Sequence, residues 1–397
     1  MSKRFSYLSH LECSVCQQRY DADQLQTISP CCSRPLLARY DLAALAQDVQ
    51  RDEISTREAS MWRYHELLPV REAGHIYSLG EGMTPLLSAP RLAPEGIEAP
   101  ARVLIKDEGQ NPTGSFKARG MAAAVSRATE LGAQGLVTPT AGNAGAAMAA
   151  YAARANRPSY VTAPQDAPPT CLAQTRLYGA EVELTPGLIS DAGQIANNVA
   201  RQRGWFNVAT LREPYRIEGK KTMGLELAEQ LDWRLPEAII YPAGGGTGIV
   251  GMWKAFQELR ELGWLNDNRL PRLILVQAEG CAPLVQAFHA GKTEAEPWPA
   301  QEAHTRAAGL RVPSAIGDRL ILQAVRESEG TALSVSDETM LQTARYAARR
   351  EGMLISFEAA AALAAYHILL RQQYLKPNDE VVVYFTGSGL PDIQSYV

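Results

Sequence analysis

Asn111-Pro112-Thr113-Gly114-Ser115-Phe116-Lys117 sets one lysine in a turn rich in glycine, proline and serine, just ahead of an alanine-rich stretch that predicts a helix from Gly120 to about Leu131. A lysine that forms a Schiff base needs such a setting, because its amine must be held still, partly desolvated and open to a flat aldehyde. The alternative is a solvated loop lysine. The rest of the chain decides between them.

Outward from this turn, apolar runs alternate with helical patterns. Val103–Lys106 reads as a strand leading into the motif, and Gly135–Thr138, Ser159–Thr162 and Glu181–Leu184 read as strands after it. Helices are expected at Ala144–Ala155, Pro168–Tyr178 and about Asp191–Arg203. A second α/β region begins near Pro214, with helices at about Lys221–Leu231 and Ile249–Leu262 and strands at Ala238–Tyr241 and Leu273–Val276. Glu380–Phe385 is almost wholly apolar, as a strand covered on both faces must be. This order predicts parallel sheets of βαβ units. The expected division is a module at 1–40, an arm at 41–77 with a helix over Asp41–Arg51, a large α/β domain from 78–112 and 211–397, and a small one at 113–210. The long loop-like stretch Ala290–Pro313 is expected to form a wall of the site.

Three more loops follow strands. Pro242-Ala243-Gly244-Gly245-Gly246-Thr247-Gly248 reads as a phosphate cradle, in which backbone N–H groups converge on an anion and the following helix dipole adds attraction. Gly246–Gly251 also fits the dinucleotide pattern G-x-G-x-x-G, but Glu279 lies well beyond the roughly 20 positions at which a ribose-binding acid belongs. Thr140-Ala141-Gly142-Asn143-Ala144-Gly145 opens a helix. Asn143 either caps that helix or donates to a phenolic oxygen, and the small residues around it can hold a carboxylate. Thr386-Gly387-Ser388-Gly389 puts a hydroxyl at the end of the apolar strand, where open α/β sheets bind ligands. A Schiff-base lysine, an amide for a phenolic oxygen, a phosphate cradle and a hydroxyl for a ring nitrogen are together what pyridoxal 5′-phosphate requires.

These motifs resemble the fold-type II pyridoxal-phosphate enzymes, and among them the threonine synthases. Asn111–Lys117 looks like the cofactor-lysine motif of that family, Gly80-Glu81-Gly82-Met83-Thr84-Pro85-Leu86 its E-G-x-T-P-L segment, and Glu218-Gly219-Lys220-Lys221-Thr222 its E-G-Q-K-T stretch. The resemblance implies a tryptophan synthase β-like α/β fold of two doubly wound open-sheet domains with a zinc-ribbon-like N-terminal extension. It implies that Lys117 is catalytic and carries the cofactor, that Asn143 contacts its phenolic oxygen, that Gly244, Gly245, Gly246, Thr247 and Gly248 hold its phosphate, and that Thr386 meets its ring nitrogen. Ser115, Thr140, Ala141 and Gly142 are expected to bind substrate. The implied reaction converts O-phospho-L-homoserine and water to L-threonine and phosphate by γ-elimination and β-addition. The alternative is a threonine or serine dehydratase or a β-replacement enzyme. The chain departs from the family pattern in having Ala118 where aspartate is usual, and Ala141 and Ala144 where hydroxyls are common. These changes bear on the substrate rather than the cofactor.

The 397 residues are 46% hydrophobic and 21% charged, with a net charge of -4. That balance leaves no basic footprint for nucleic acid. No apolar run reaches the roughly 18 residues that span a membrane. A cytoplasmic enzyme, expected to be a homodimer acting on a small amino acid, is the implied class. Four of six cysteines, Cys13, Cys16, Cys31 and Cys32, fall in the first 32 residues, a pattern that suggests structural zinc. A hairpin is expected between the pairs, at Tyr20–Thr27. The adjacent Cys31 and Cys32 fit zinc less well, because neighbouring side chains diverge in a strand, and His10 can substitute for one ligand. Both a zinc-loaded ribbon and a metal-free one stay open, and the module reads as separate from the chemistry.

Overall fold

The computed structural model describes residues 3–94, 96, 102–140 and 142–397. Its main sheet is organised around Glu380–Phe385, which is buried at every position. This strand pairs in parallel with Ala238–Pro242 on one side and Arg102–Asp107 on the other. Arg272–Ala278 and Thr331–Val335 extend the sheet in parallel, and Leu86–Ser88 closes its far edge antiparallel. Side chains alternate between two cores, as the strand period demands. Ile239, Tyr241, Leu273 and Leu275 pack with the helices Tyr215–Gln230 and Thr247–Glu261. Ile240, Ile274, Val276 and Val383 pack with Phe357–Arg371 on the other face.

A second sheet is wholly parallel, in the order Glu181–Thr185, Ser159–Pro164, Leu136–Pro139, Phe206–Asn207. Met61, Trp62, Leu68 and Val70 from the arm join the core under its helices. The edge strands Leu86–Ser88 and Phe206–Asn207, the strand Thr331–Val335, and the helices Asp318–Glu327, Asp337–Glu351 and Phe357–Arg371 carried no clear signal in the sequence.

Three helix starts differ from expectation in a way that matters for the site. The helix after the lysine motif is Lys117–Glu130, so Lys117 is its first residue. The helix after the glycine loop is Thr247–Glu261, because Gly246 takes a left-handed cap (φ 70) that lets the helix begin at once. Tyr215–Gln230 starts six residues early, because the Glu213 carboxylate accepts from the Tyr215 and Arg216 N–H groups at 2.7 and 3.1 Å.

The N-terminal module is a three-stranded antiparallel sheet of Leu8–Cys13, Arg19–Tyr20 and Leu36–Tyr40. Its tight turn is not at Tyr20–Thr27. The Cys-x-x-Cys knuckle itself turns, with Cys13 N–H donating to the Gln18 carbonyl at 2.9 Å and Gln17 at φ 61. Residues 21–24 form a polar loop in which the Asp21 carboxylate accepts from Asp23 N–H at 2.8 Å. In the arm, the helix over Leu42–Asp48 is capped by the Asp41 side chain. No helix among the described residues is long and apolar enough to cross a membrane.

Candidate functional site

The loops that follow the strands of both sheets line one cavity of about 810 Å³. Lys117, Asn143, Gly244 to Gly248 and Thr386 all reach it, with Ser115, Thr140 and Gly142 beside them. Ala141 lies outside the described residues. The lysine loop and the Thr386 loop are stitched together. Phe116 N–H donates to the Thr386 carbonyl at 3.0 Å, Ser388 N–H to the Gly114 carbonyl at 2.9 Å, and Ser115 and Gly387 form a β-bridge. The lysine and the threonine are therefore held in one register.

Lys117 is half-buried, with its amine 3.8 Å from the centre of the Phe116 ring. Burial, reinforced by the Arg216 charge and partly offset by Glu358, brings that amine down to about 7. At neutral pH it is a nucleophile and base rather than a fixed cation. Just beneath it, the fully buried Arg119 bonds Glu108 at 2.6 Å and Glu226 at 2.7 Å, and Lys106 joins Glu226 in the same network. These bonds anchor the first turn of the lysine helix to the main sheet. Ala118 does not line the cavity; it is fully buried in the core with Met61 and Trp62.

The glycine loop is tight for reasons of packing as well as binding. A Cβ on Gly244 would lie 2.1 Å from the Gly309 carbonyl oxygen, and one on Gly246 would lie 2.1 Å from Ile321 Cδ1. The first N–H groups of the helix, at Thr247 and Gly248, have no intrahelical acceptor and face the cavity wall.

Asn143 does not cap its helix. It is the first helical residue, Gly142 holds the cap position, and the Asn143 Oδ1 atom accepts from Cys171 Sγ at 3.3 Å. The capping is done by Thr140. Its hydroxyl accepts from the Gly142 and Gly145 N–H groups at 3.0 and 3.1 Å and donates to the Gly142 carbonyl at 2.8 Å. That hydroxyl is committed to the loop.

Sequence reasoning missed Arg216, which is buried, lines the cavity, and donates through Nη1 to the Val208 carbonyl at 2.8 Å while its Nε stays unpaired. It gave no signal because the helix expected from the sequence begins after it. Glu358 and Asp392 were also missed; burial, with Glu358 nearby, lifts the Asp392 carboxyl to about 6. The stretch 290–313 does form part of the wall, held there by Gly309 N–H donating to Glu358 at 2.7 Å.

A pyridoxal group fits what is present. Ser115 Oγ is buried without a partner and lines the cavity beside Lys117 and Thr386, and the glycine cradle opens opposite an amine already poised to react with an aldehyde.

The four N-terminal sulfurs all lie within 4.8 Å of one another, with Cys16 and Cys31 3.2 Å apart, while His10 is not among them. Cys31 and Cys32 do not diverge, because they sit in a turn rather than a strand. Ser33 takes φ 53 and its N–H donates to the Ser29 carbonyl at 2.8 Å, which folds both thiols toward Cys13 and Cys16. Nor is the module remote from the cavity. Arg34, two residues past Cys32, lines its rim and pairs with Glu294 at 3.1 Å.

Comparison with known proteins agrees with this geometry. The family model described as pyridoxal-phosphate dependent enzyme matches residues 77–387. A threonine synthase of Methanocaldococcus jannaschii is 34% identical over 96% of this chain and 92% of its own. One of Methanosarcina acetivorans is 34% identical over 98% and 93%. Among solved structures, a pyridoxal 5′-phosphate-dependent aspartate racemase superposes with a TM-score of 0.67 at 25% identity, covering 79% of this chain and 92% of its own. A bacterial-type comparison chain named threonine deaminase superposes at 0.63 with 27% identity, over 77% and 92%.

Proposed function

The chain belongs to the pyridoxal-phosphate dependent enzyme family and is related over nearly its whole length to threonine synthases, and on that premise we propose that it converts O-phospho-L-homoserine and water to L-threonine and phosphate. The observation that carries the reading is the cavity shared by an amine at about 7, a helix N-terminus open to anions and the buried Arg216. When bound, pyridoxal phosphate supplies the electron sink for negative charge developing on the substrate carbons. Lys117 attaches it. Gly244 to Gly248 hold its phosphate through backbone N–H groups, Asn143 offers its amide to the phenolic oxygen, and Thr386 offers its hydroxyl to the ring nitrogen. Displaced by substrate, the Lys117 Nζ atom takes the α-proton and then assists removal of a β-proton, which its low proton affinity supports. Ser115 and the backbone of the Thr140–Gly142 loop take the substrate carboxylate. Arg216 meets the substrate phosphate, the one strongly anionic group that leaves.

A second reading, a threonine or serine dehydratase, is favoured by the commitment of the Thr140 hydroxyl, which leaves that loop without a free side-chain donor. Assay of the purified enzyme separates the two. Phosphate and threonine released from O-phospho-L-homoserine support the first; a 2-oxoacid released from threonine or serine, with no phosphate release, overturns it. The proposal extends to one structural zinc on Cys13, Cys16, Cys31 and Cys32, supported by their converging sulfurs. It also extends to a cytoplasmic homodimer that acts on a free amino acid and not on nucleic acid, and to the division into a large domain (78–112 and 211–397) and a small one (113–210), which the two separate parallel sheets support.

A further inference from the structure

Lys220 lies in the helix Tyr215–Gln230 with no exposed surface. Its neighbour Lys221 is equally buried but pairs with Glu218 at 2.7 Å and Glu258 at 2.8 Å. Among the described residues Lys220 has no carboxylate in salt-bridge contact. Its Nζ atom donates instead to the backbone carbonyl of Phe116, the residue before Lys117. The same Nζ lies 4.4 Å from the centre of the Phe116 ring, on which the Lys117 amine also rests. The space is shaped for it: a Cβ on Gly120 would fall 2.9 Å from Lys220 Nζ, and one on Gly251 would fall 2.9 Å from Lys220 Cβ. Burying an ammonium without a carboxylate destabilises a fold, so stability alone does not account for this side chain.

We propose that Lys220 is a positioning residue for Lys117: it holds the Phe116 carbonyl, and so sets the direction in which the Lys117 side chain leaves its helix toward the cavity. The proposal rests on the reading of Lys117 as the aldehyde-bearing lysine. The surrounding charges give Lys220 a second effect. Facing it are Lys117 and Arg119 from the lysine helix, Arg216 from its own helix, Glu213 ahead of that helix and Glu108 from the turn Glu108–Gln110. Glu108 is already bonded to Arg119. Burial, then Lys117, then Arg216 push Lys220 well below the lysine range. The two amines therefore titrate as a pair, and each opposes the other's proton.

The test uses the full-length chain freed of bound aldehyde, in wild-type, Lys220→Met and Lys220→Gln forms. Glutamine keeps a donor for the Phe116 carbonyl; methionine does not. Each is mixed with pyridoxal, which lacks the phosphate and so does not depend on the glycine cradle. Imine formation is followed across pH, trapped with borohydride and mapped by mass spectrometry. Lys220→Met is expected to lower the plateau rate at Lys117 by about five- to tenfold, the worth of one buried hydrogen bond, and to move the midpoint to higher pH by removing the competing amine. Lys220→Gln is expected to recover the plateau but keep the raised midpoint. Thermal unfolding of both variants at or above the wild-type temperature separates these effects from loss of fold. If Lys117 reacts with wild-type plateau and midpoint in both variants, the positioning role is overturned. If wild type is labelled at another lysine, the reading of Lys117 itself fails, and the proposal with it.

Discussion

Gly244→Ala tests the phosphate cradle apart from the lysine. The added Cβ would sit 2.1 Å from the Gly309 carbonyl oxygen and 2.8 Å from Val312 Cγ2. A Cβ contact below 3.0 Å is essentially never tolerated, so the loop and the wall must separate by nearly 1 Å. The wall does not yield freely, because Gly309 N–H is bonded to the Glu358 carboxylate at 2.7 Å. Overpacking of this size costs about 1–3 kcal/mol. If the cradle moves away from the phosphate, that corresponds to about 5- to 150-fold in affinity. Lys117 is on a different loop, tied to Thr386 rather than to Gly244, so its reaction with an aldehyde is left largely intact. The assay titrates the aldehyde-free protein with pyridoxal 5′-phosphate and, separately, with pyridoxal, reading the visible absorbance of the imine. The dissociation constant for the phosphate ester is expected to rise by that factor and the one for pyridoxal by less than about threefold. Equal weakening of both, or no weakening of either, would refute the assignment of this loop to the phosphate.

Other consequences follow from the same geometry. A lysine at about 7 in the fold and near 10.5 in the unfolded chain binds fewer protons folded than unfolded across that window, so the cofactor-free protein gains stability from this group as pH rises from about 7 to 10.5. Lys117→Met should remove that slope in melting temperature against pH, and should leave the protein colourless with added pyridoxal phosphate; a retained slope counts against the depressed amine. Arg216→Met should raise KM for O-phospho-L-homoserine by about 10- to 100-fold, the range for removing a buried charged partner, while an unchanged KM would remove Arg216 from substrate binding. Metal analysis should find one zinc per chain, and Cys16→Ser should lower both zinc content and melting temperature; full zinc in that variant would refute the four-cysteine site.

Much of the catalytic layout was legible in the chain because its signals are local. A glycine run after an apolar strand, and a lysine in a proline- and glycine-marked turn, show themselves within about ten residues whatever surrounds them. Arg216 was not legible. Its helix starts early because of a side-chain cap from Glu213, and its hydrogen-bond acceptor, Val208, follows a strand that is short and unmarked. The sequence also overweighted position 118. Ala118 interrupts a family pattern, but its side chain packs against Met61 and Trp62 and never meets the cavity, so it says little about substrate.

By itself, then, the sequence determined the alternation of strands and helices, the lysine, and the loops that end at one edge of a sheet, because strand period and backbone freedom are set residue by residue. Only the tertiary structure decided what those groups can do. The proton affinity of Lys117 comes from burial and from Arg216, nearly a hundred positions away. The Thr140 hydroxyl is used up by its own loop. Cys31 and Cys32 converge because a turn, not a strand, carries them, and Arg34 brings the N-terminal module to the rim of the cavity. Electrostatics and exposure depend on which distant segments share a volume, and that is fixed only when the chain is packed.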